Sequence, residues 1–151
     1  MADDQKDDKD LDRELIELLN ELRVALPGVQ VLFAFLLTVP FTNRFSQVND
    51  LQKNMFLLAL VATALGSILL IAPTAHHRLR FRERDKEALL RTANRLAIAG
   101  TVLLAVGMTA AVFFVTDFLF RATVTSLVTA LVAGAFLVLW YALPLLRKAR
   151  A

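Results

Sequence analysis

Residues 54–84 read NMFLLALVATALGSILLIAPTAHHRLRFRER, and the two parts of this stretch have opposite chemistry. The first 22 positions, Asn54–Ala75, carry no charged side chain, while the next nine place arginine at 78, 80, 82 and 84. A helix rising 1.5 Å per residue needs about 20 residues to cross the hydrocarbon of a bilayer. Asn54–Ala75 meets that length and stops where the cations start. A buried helix of a soluble domain rarely stays uncharged for so long.

Three further windows repeat the pattern: Val24–Asn43, Leu96–Thr116 and Ala122–Leu146, of 20, 21 and 25 residues. The whole chain has 151 residues, room for one domain, and is 57% hydrophobic with a mean hydropathy of +0.57. Its charged residues, 21% of the total, lie in clusters, whereas a soluble fold needs charge on every exposed face. The windows are apolar all round, so they read as helices and not as the alternating strands of a barrel. The expected fold is all-α: an integral membrane four-helix bundle preceded by an amphipathic cytoplasmic helix. The chain has no cysteine, which excludes disulfides, thiol redox chemistry and thiolate metal sites.

Four spans put segments 1–23, 76–95 and 147–151 on one side of the membrane. These segments hold 14 Lys and Arg; the opposite side holds only Arg44, Lys53 and Arg121. Cytoplasmic loops carry the excess of Lys and Arg, so both termini and the arginine loop are expected inside. Arg78, Arg80, Arg82 and Arg84 are thus first a topology signal, and second a surface for anionic lipid headgroups, each cation contributing about 1 kcal/mol of leaflet attraction. Nucleic acid is not expected as a partner, because membrane flanks the loop on both sides. The first window is not read as a secretory signal, since acids precede it and LLTVPFT (36–42) makes a poor cleavage site.

Residues 1–23 hold nine acids and four bases. The chain is expected to divide into a disordered acidic tail (1–10), an amphipathic helix (11–26), a four-span domain (27–146) and a basic tail (147–151). Leu11, Leu15, Leu18, Leu19 and Leu22 share one helical face, and Pro27-Gly28 is expected to form an elbow into the first span. An acidic interfacial helix is repelled by an anionic leaflet, so Glu17 and Glu21 are candidates to dock on the basic 76–95 loop. The alternative is a helix held at the interface by its leucines, its acids solvated.

Local chemistry at the span ends is also readable. Asn49 and Gln52 have the spacing of a capping box before the second span. Pro73 is expected to loosen the end of that span. Asp117 is expected to cap the fourth span and pair with Arg121. Trp140 and Tyr141 suit the headgroup level. Stripes of small residues would let helices approach closely: Ala59/Thr63/Ser67 with Ala62 and Gly66 beside them, Ala97/Thr101/Ala105/Thr109 with Gly107-x-x-x-Ala111 in the same span, and Ser126/Ala130/Gly134.

Candidate catalytic chemistry is sparse. None of the four windows contains Asp, Glu, Lys, Arg or His, the groups that proton-coupled exporters and intramembrane proteases keep inside the bilayer. His76 and His77 are adjacent, point about 100° apart on a helix, and have no partner at ligand spacing. No metal, haem or other cofactor is expected, and no enzyme activity. Gln30 is the most polar residue of the first window, fit either to line a pore or to hold a partner helix by a hydrogen bond of about 1 kcal/mol.

The stretches ELRVALPGVQVLFAFLLTVPF (21–41) and APTAHHRLRFR (72–82) resemble those of a family of small bacterial multi-pass membrane proteins of unknown function. Glu21, Arg23, Pro27, Gly28, Gln30, His77 and Arg78 match that pattern, and the resemblance covers 14 to about 146. It implies a place in the bacterial cytoplasmic membrane and no activity. The leading functional reading is a non-enzymatic structural or partner-binding bundle, a possible homo-oligomer, with the acidic helix and basic loop as its interaction surface. The second is a small oligomeric channel or passive transporter lined by hydroxyls such as Thr38, Thr63, Ser67, Thr101, Thr109, Thr125, Ser126 and Thr129.

Overall fold

The computed structural model describes residues 2–79 and 86–148, and all of the described residues outside short connections are helical. Helix α1 spans Ala2–Thr38, and two 3-10 turns, Val39–Phe41 and Asn43–Gln47, lead to α2 at Asp50–Leu79. Helix α3 runs Lys86–Leu119 and α4 Ala122–Phe136. A π-helical stretch, Leu137–Ala142, joins α4 to the short α5, Leu143–Lys148. Four segments are long and apolar enough to cross a membrane: Ile16–Phe41, Asp50–Ala75, Leu90–Leu119 and Ala122–Ala142. Each overlaps one of the expected windows.

The first differs in its start. The separate amphipathic helix and the elbow at Pro27-Gly28 do not appear, because α1 passes through Pro27 without interruption. Pro27 removes one backbone donor, yet long apolar helices tolerate this where neighbouring turns adjust. Leu18, Leu22, Leu26 and Val29 recur at helical spacing and pack against Leu70 of α2 and Ala97 and Leu104 of α3. The part of the leucine face that is described is therefore covered by protein, as the first turns of a span. Pro73 likewise sits fully buried inside α2, which continues to Leu79.

The core is built on α2 and α3, which run antiparallel with glycines at the contact. A Cβ on Gly107 would lie 2.6 Å from the Thr63 Oγ1, and one on Gly66 would lie 3.1 Å from the Gly100 carbonyl. Such contacts are open only to residues without a side chain, which is how helices gain dispersion energy where no water is expelled. Ala59 and Thr63, both 0% exposed, are the α2 half of this seam, so the expected stripe there is used. On α3 the seam runs through Gly100 and the expected Gly107 rather than through Thr101 and Thr109. The α4 stripe is not used: Ser126 and Ala130 are exposed, and a Cβ on Gly134 would meet nothing within 4 Å.

Helix α1 lies against both α2 and α3, whereas among the described helices packed across the bundle α4 lies against α3 alone. The fold is three mutually packed helices with a fourth laid along one of them. Near the α1–α2 connection, Leu36, Val48, Phe56, Ala110 and Phe114 form one core cluster. Phe56 is its hub, with ring centroids 5.5 Å from Phe45 and 5.6 Å from Phe114, in the edge-on and tilted geometries that aromatic quadrupoles favour.

Candidate functional site

Polar side chains inside this fold are few, and three places gather them. At the end holding the α1–α2 and α3–α4 connections, Asn49 and Gln52 form the expected capping box. The Asn49 N–H donates to Gln52 Oε1 at 3.1 Å, and the Gln52 N–H donates to Asn49 Oδ1 at 2.9 Å. Gln52 also donates from Nε2 to Asp117 Oδ2 at 3.0 Å, across 65 residues of sequence. One amide, 6% exposed, thus caps α2 and ties it to the end of α3. The two side-chain hydrogen bonds of Gln52 and the one from its backbone N–H satisfy donors and an acceptor that would otherwise be costly to bury. Asp117 is accordingly not the expected cap of α4. Residue Arg121 occupies that position with no side-chain cap, and no Asp117–Arg121 ion pair is formed among the described residues.

The second place is a cleft of about 340 Å³ where α4 leans away from α2 across α3. Met55, Leu58, Val106 and Phe113 make its walls, and Thr109, Thr129 and Tyr141 supply its only hydroxyls. Thr109 donates to the Ala105 carbonyl of its own helix at 2.7 Å. The Oγ1 of Thr129 and the hydroxyl of Tyr141 are buried without a hydrogen-bond partner. Tyr141 lies in the π-helical stretch, one residue after Trp140, which is exposed and edge-on to Phe136 at 4.8 Å. Only the Trp140 ring keeps the exposure expected of a headgroup-level aromatic. Pro144, two residues past the widened turn, has no N–H to donate to the Trp140 carbonyl. Among the described residues, the cleft is lined by hydrocarbon apart from these three hydroxyls.

The third place is the outer flank of α1. Gln30 is exposed there and, among the described residues, makes no hydrogen bond. The interhelical bond expected of it is not made within one chain.

A model of the family of unknown function DUF6328 matches residues 4–144. The chain belongs to that family. No curated protein and no solved structure matches it.

In this DUF6328 chain the expected site residues are dispersed. Arg78 lies in α2 with its side chain not described, and Arg80, Arg82 and Arg84 lie outside the described residues. Glu17 is paired with Arg13 of its own helix at 3.4 Å, and Glu21 is exposed. The hydroxyls considered as pore lining mostly bond within their own helices: Thr38 to Phe35, Thr101 to Ile98, Ser67 to Thr63 and Thr125 to Arg121. Such back-bonding leaves no continuous row of free hydroxyls in a single chain. The sequence reading missed the Gln52–Asp117 tie, for which no local signal exists. It also passed over Pro144, which lies two residues past the altered turn.

Proposed function

We propose that this DUF6328 member is a multi-pass protein of the bacterial cytoplasmic membrane, with both termini and the α2–α3 connection in the cytoplasm. It performs no chemistry of its own and serves as a structural or partner-binding bundle. The observation that carries the reading is the pairing of four apolar, membrane-length helices with 14 cations at one end and three at the other. The lack of any ionisable side chain in the four windows supports a role without proton coupling or catalysis.

The surface that would meet a partner is the charged end. The acidic 1–23 segment and the basic 76–95 loop have opposite net charge and, by this topology, share one side of the membrane. Glu21 is free to reach a cation, whereas Glu17 would exchange its exposed Arg13 partner, a pairing that contributes well under 1 kcal/mol. Such a surface attracts both a protein partner and anionic headgroups, and the two differ in salt dependence and stoichiometry.

Purification in mild detergent tests the reading. A partner that copurifies at fixed stoichiometry, and is lost on Glu17→Lys/Glu21→Lys, supports it. Selective ion flux by the purified chain in liposomes, with no such partner, sinks it in favour of a channel. Reporter fusions at the two termini test orientation separately, and activity of either reporter outside the cytoplasm would overturn that part.

A further inference from the structure

Gln30 poses a problem that one copy of the chain does not solve. It is the seventh of 20 residues in the uncharged window Val24–Asn43, and its neighbour Val29 shares a core cluster with Leu104, the ninth of 21 in the window Leu96–Thr116. Both counts place it within the hydrocarbon. At 1.5 Å per residue its Cα lies roughly 9 Å from one end of its window and roughly 20 Å from the other. Two methylenes are too short to carry the carboxamide to the headgroups. A primary amide in hydrocarbon without a partner costs several kcal/mol, so a group that hydrogen-bonds must meet it there.

The flank around Gln30 is patterned for a helix. Pro27, Gln30, Ala34 and Leu37 of α1 recur at intervals of three and four, and all are exposed. That 3.5-residue repeat is the seam of a left-handed helix pair, and a single polar residue within such a seam fixes register and partner number. Ala34, one turn along the seam, is small enough for two backbones to approach and for the amides to reach across.

We propose that this flank is a homodimer interface in which Gln30 of one copy bonds Gln30 of a second across a twofold axis normal to the membrane. The amide is its own complement: Oε1 of each accepts from Nε2 of the other, giving two hydrogen bonds. Twofold symmetry puts both at one depth with no further adjustment. Another membrane protein would need a matching polar group at that depth, whereas a second copy supplies it by construction. The proposal rests on α1 spanning the membrane and is independent of what the charged end binds.

The chain lacks cysteine, so single-cysteine variants report without background. Ala34→Cys lies on the seam, and Phe35→Cys, 69% exposed, faces away from it. Oxidation in native membranes should yield a crosslinked dimer from Ala34→Cys and at least fivefold less from Phe35→Cys. Adding Gln30→Leu should lower the Ala34→Cys dimer about fivefold, the equivalent of about 1 kcal/mol, while Gln30→Asn keeps most of it. Equal crosslinking at the two positions, indifference to Gln30→Leu, or a ladder beyond dimer would overturn the interface. Retention of the same variants in alkaline-washed membranes is read in parallel. Its loss would tell against the span, and with it the functional reading, whereas full retention with no crosslink would tell against the dimer alone.

Discussion

Gly107→Ala is the most exacting test of how α2 and α3 are joined. The new Cβ would stand 2.6 Å from Thr63 Oγ1, 3.1 Å from the Thr63 nitrogen and 3.3 Å from the Ala59 carbonyl. Thr63 is wholly buried and β-branched, so its hydroxyl has little freedom to swing aside, and the other two atoms are backbone. The helices must part by several tenths of an ångström along a seam that depends on dispersion. Overpacking of this kind costs about 1–3 kcal/mol, against about 1 kcal/mol gained from the better helix propensity of alanine. Gly134→Ala isolates that gain, because its Cβ would meet nothing within 4 Å. Gly107→Ala should therefore be less stable than Gly134→Ala by about 1–3 kcal/mol in an SDS titration from mild detergent, followed by far-UV circular dichroism. Thr63→Ala removes the nearest obstacle, so combining it with Gly107→Ala should show a coupling of at least about 0.5 kcal/mol. Equal stability of the two alanine variants, or strict additivity in the cycle, would refute the close approach.

Gln52→Leu should cost about 1–3 kcal/mol in the same titration, since it removes half the capping box and leaves Asp117 without its donor. Gln52→Glu keeps the box but sets two carboxylates face to face. Their repulsion should make this variant less stable than the wild type in the same titration, and equal stability would mean that the two side chains do not meet. Tyr141→Phe removes a buried hydroxyl that has no partner and should be neutral or stabilising by up to about 1 kcal/mol; a loss above that would mean the hydroxyl is bonded. Replacing Arg78, Arg80, Arg82 and Arg84 by glutamate reverses the strongest charge bias, and a C-terminal reporter should then divide between the two sides of the membrane. A reporter left on one side would show that other charges suffice.

The spans were legible because each is a long uncharged run, a property written locally in sequence and indifferent to tertiary partners. The Asn49/Gln52 box was legible for the same reason, its donors and acceptors lying three residues apart. What is not local was not readable. Gln52 reaches Asp117 only because α2 and α3 are antiparallel neighbours of matched length, which sets these residues side by side. Of the three small-residue stripes, that of α2 meets its neighbour through Ala59 and Thr63 and that of α4 does not, because periodicity shows which residues share a face and not which face meets a neighbour. The elbow at Pro27-Gly28 was expected from rules that hold for helices in water; within an apolar rod the same pair is carried without a break. Gln30 was singled out as the polar residue of its span, but only its place on the outer flank distinguishes an internal bond from an unmet one.

That α4 rests on α3 alone bears on how the protein is made. The first three helices can complete their mutual contacts while the last is still being synthesised, since none of those contacts waits for it. A chain cut between Phe120 and Arg121 should then divide into a self-sufficient amino-terminal piece and a dependent carboxy-terminal one, joined only through a single helical groove.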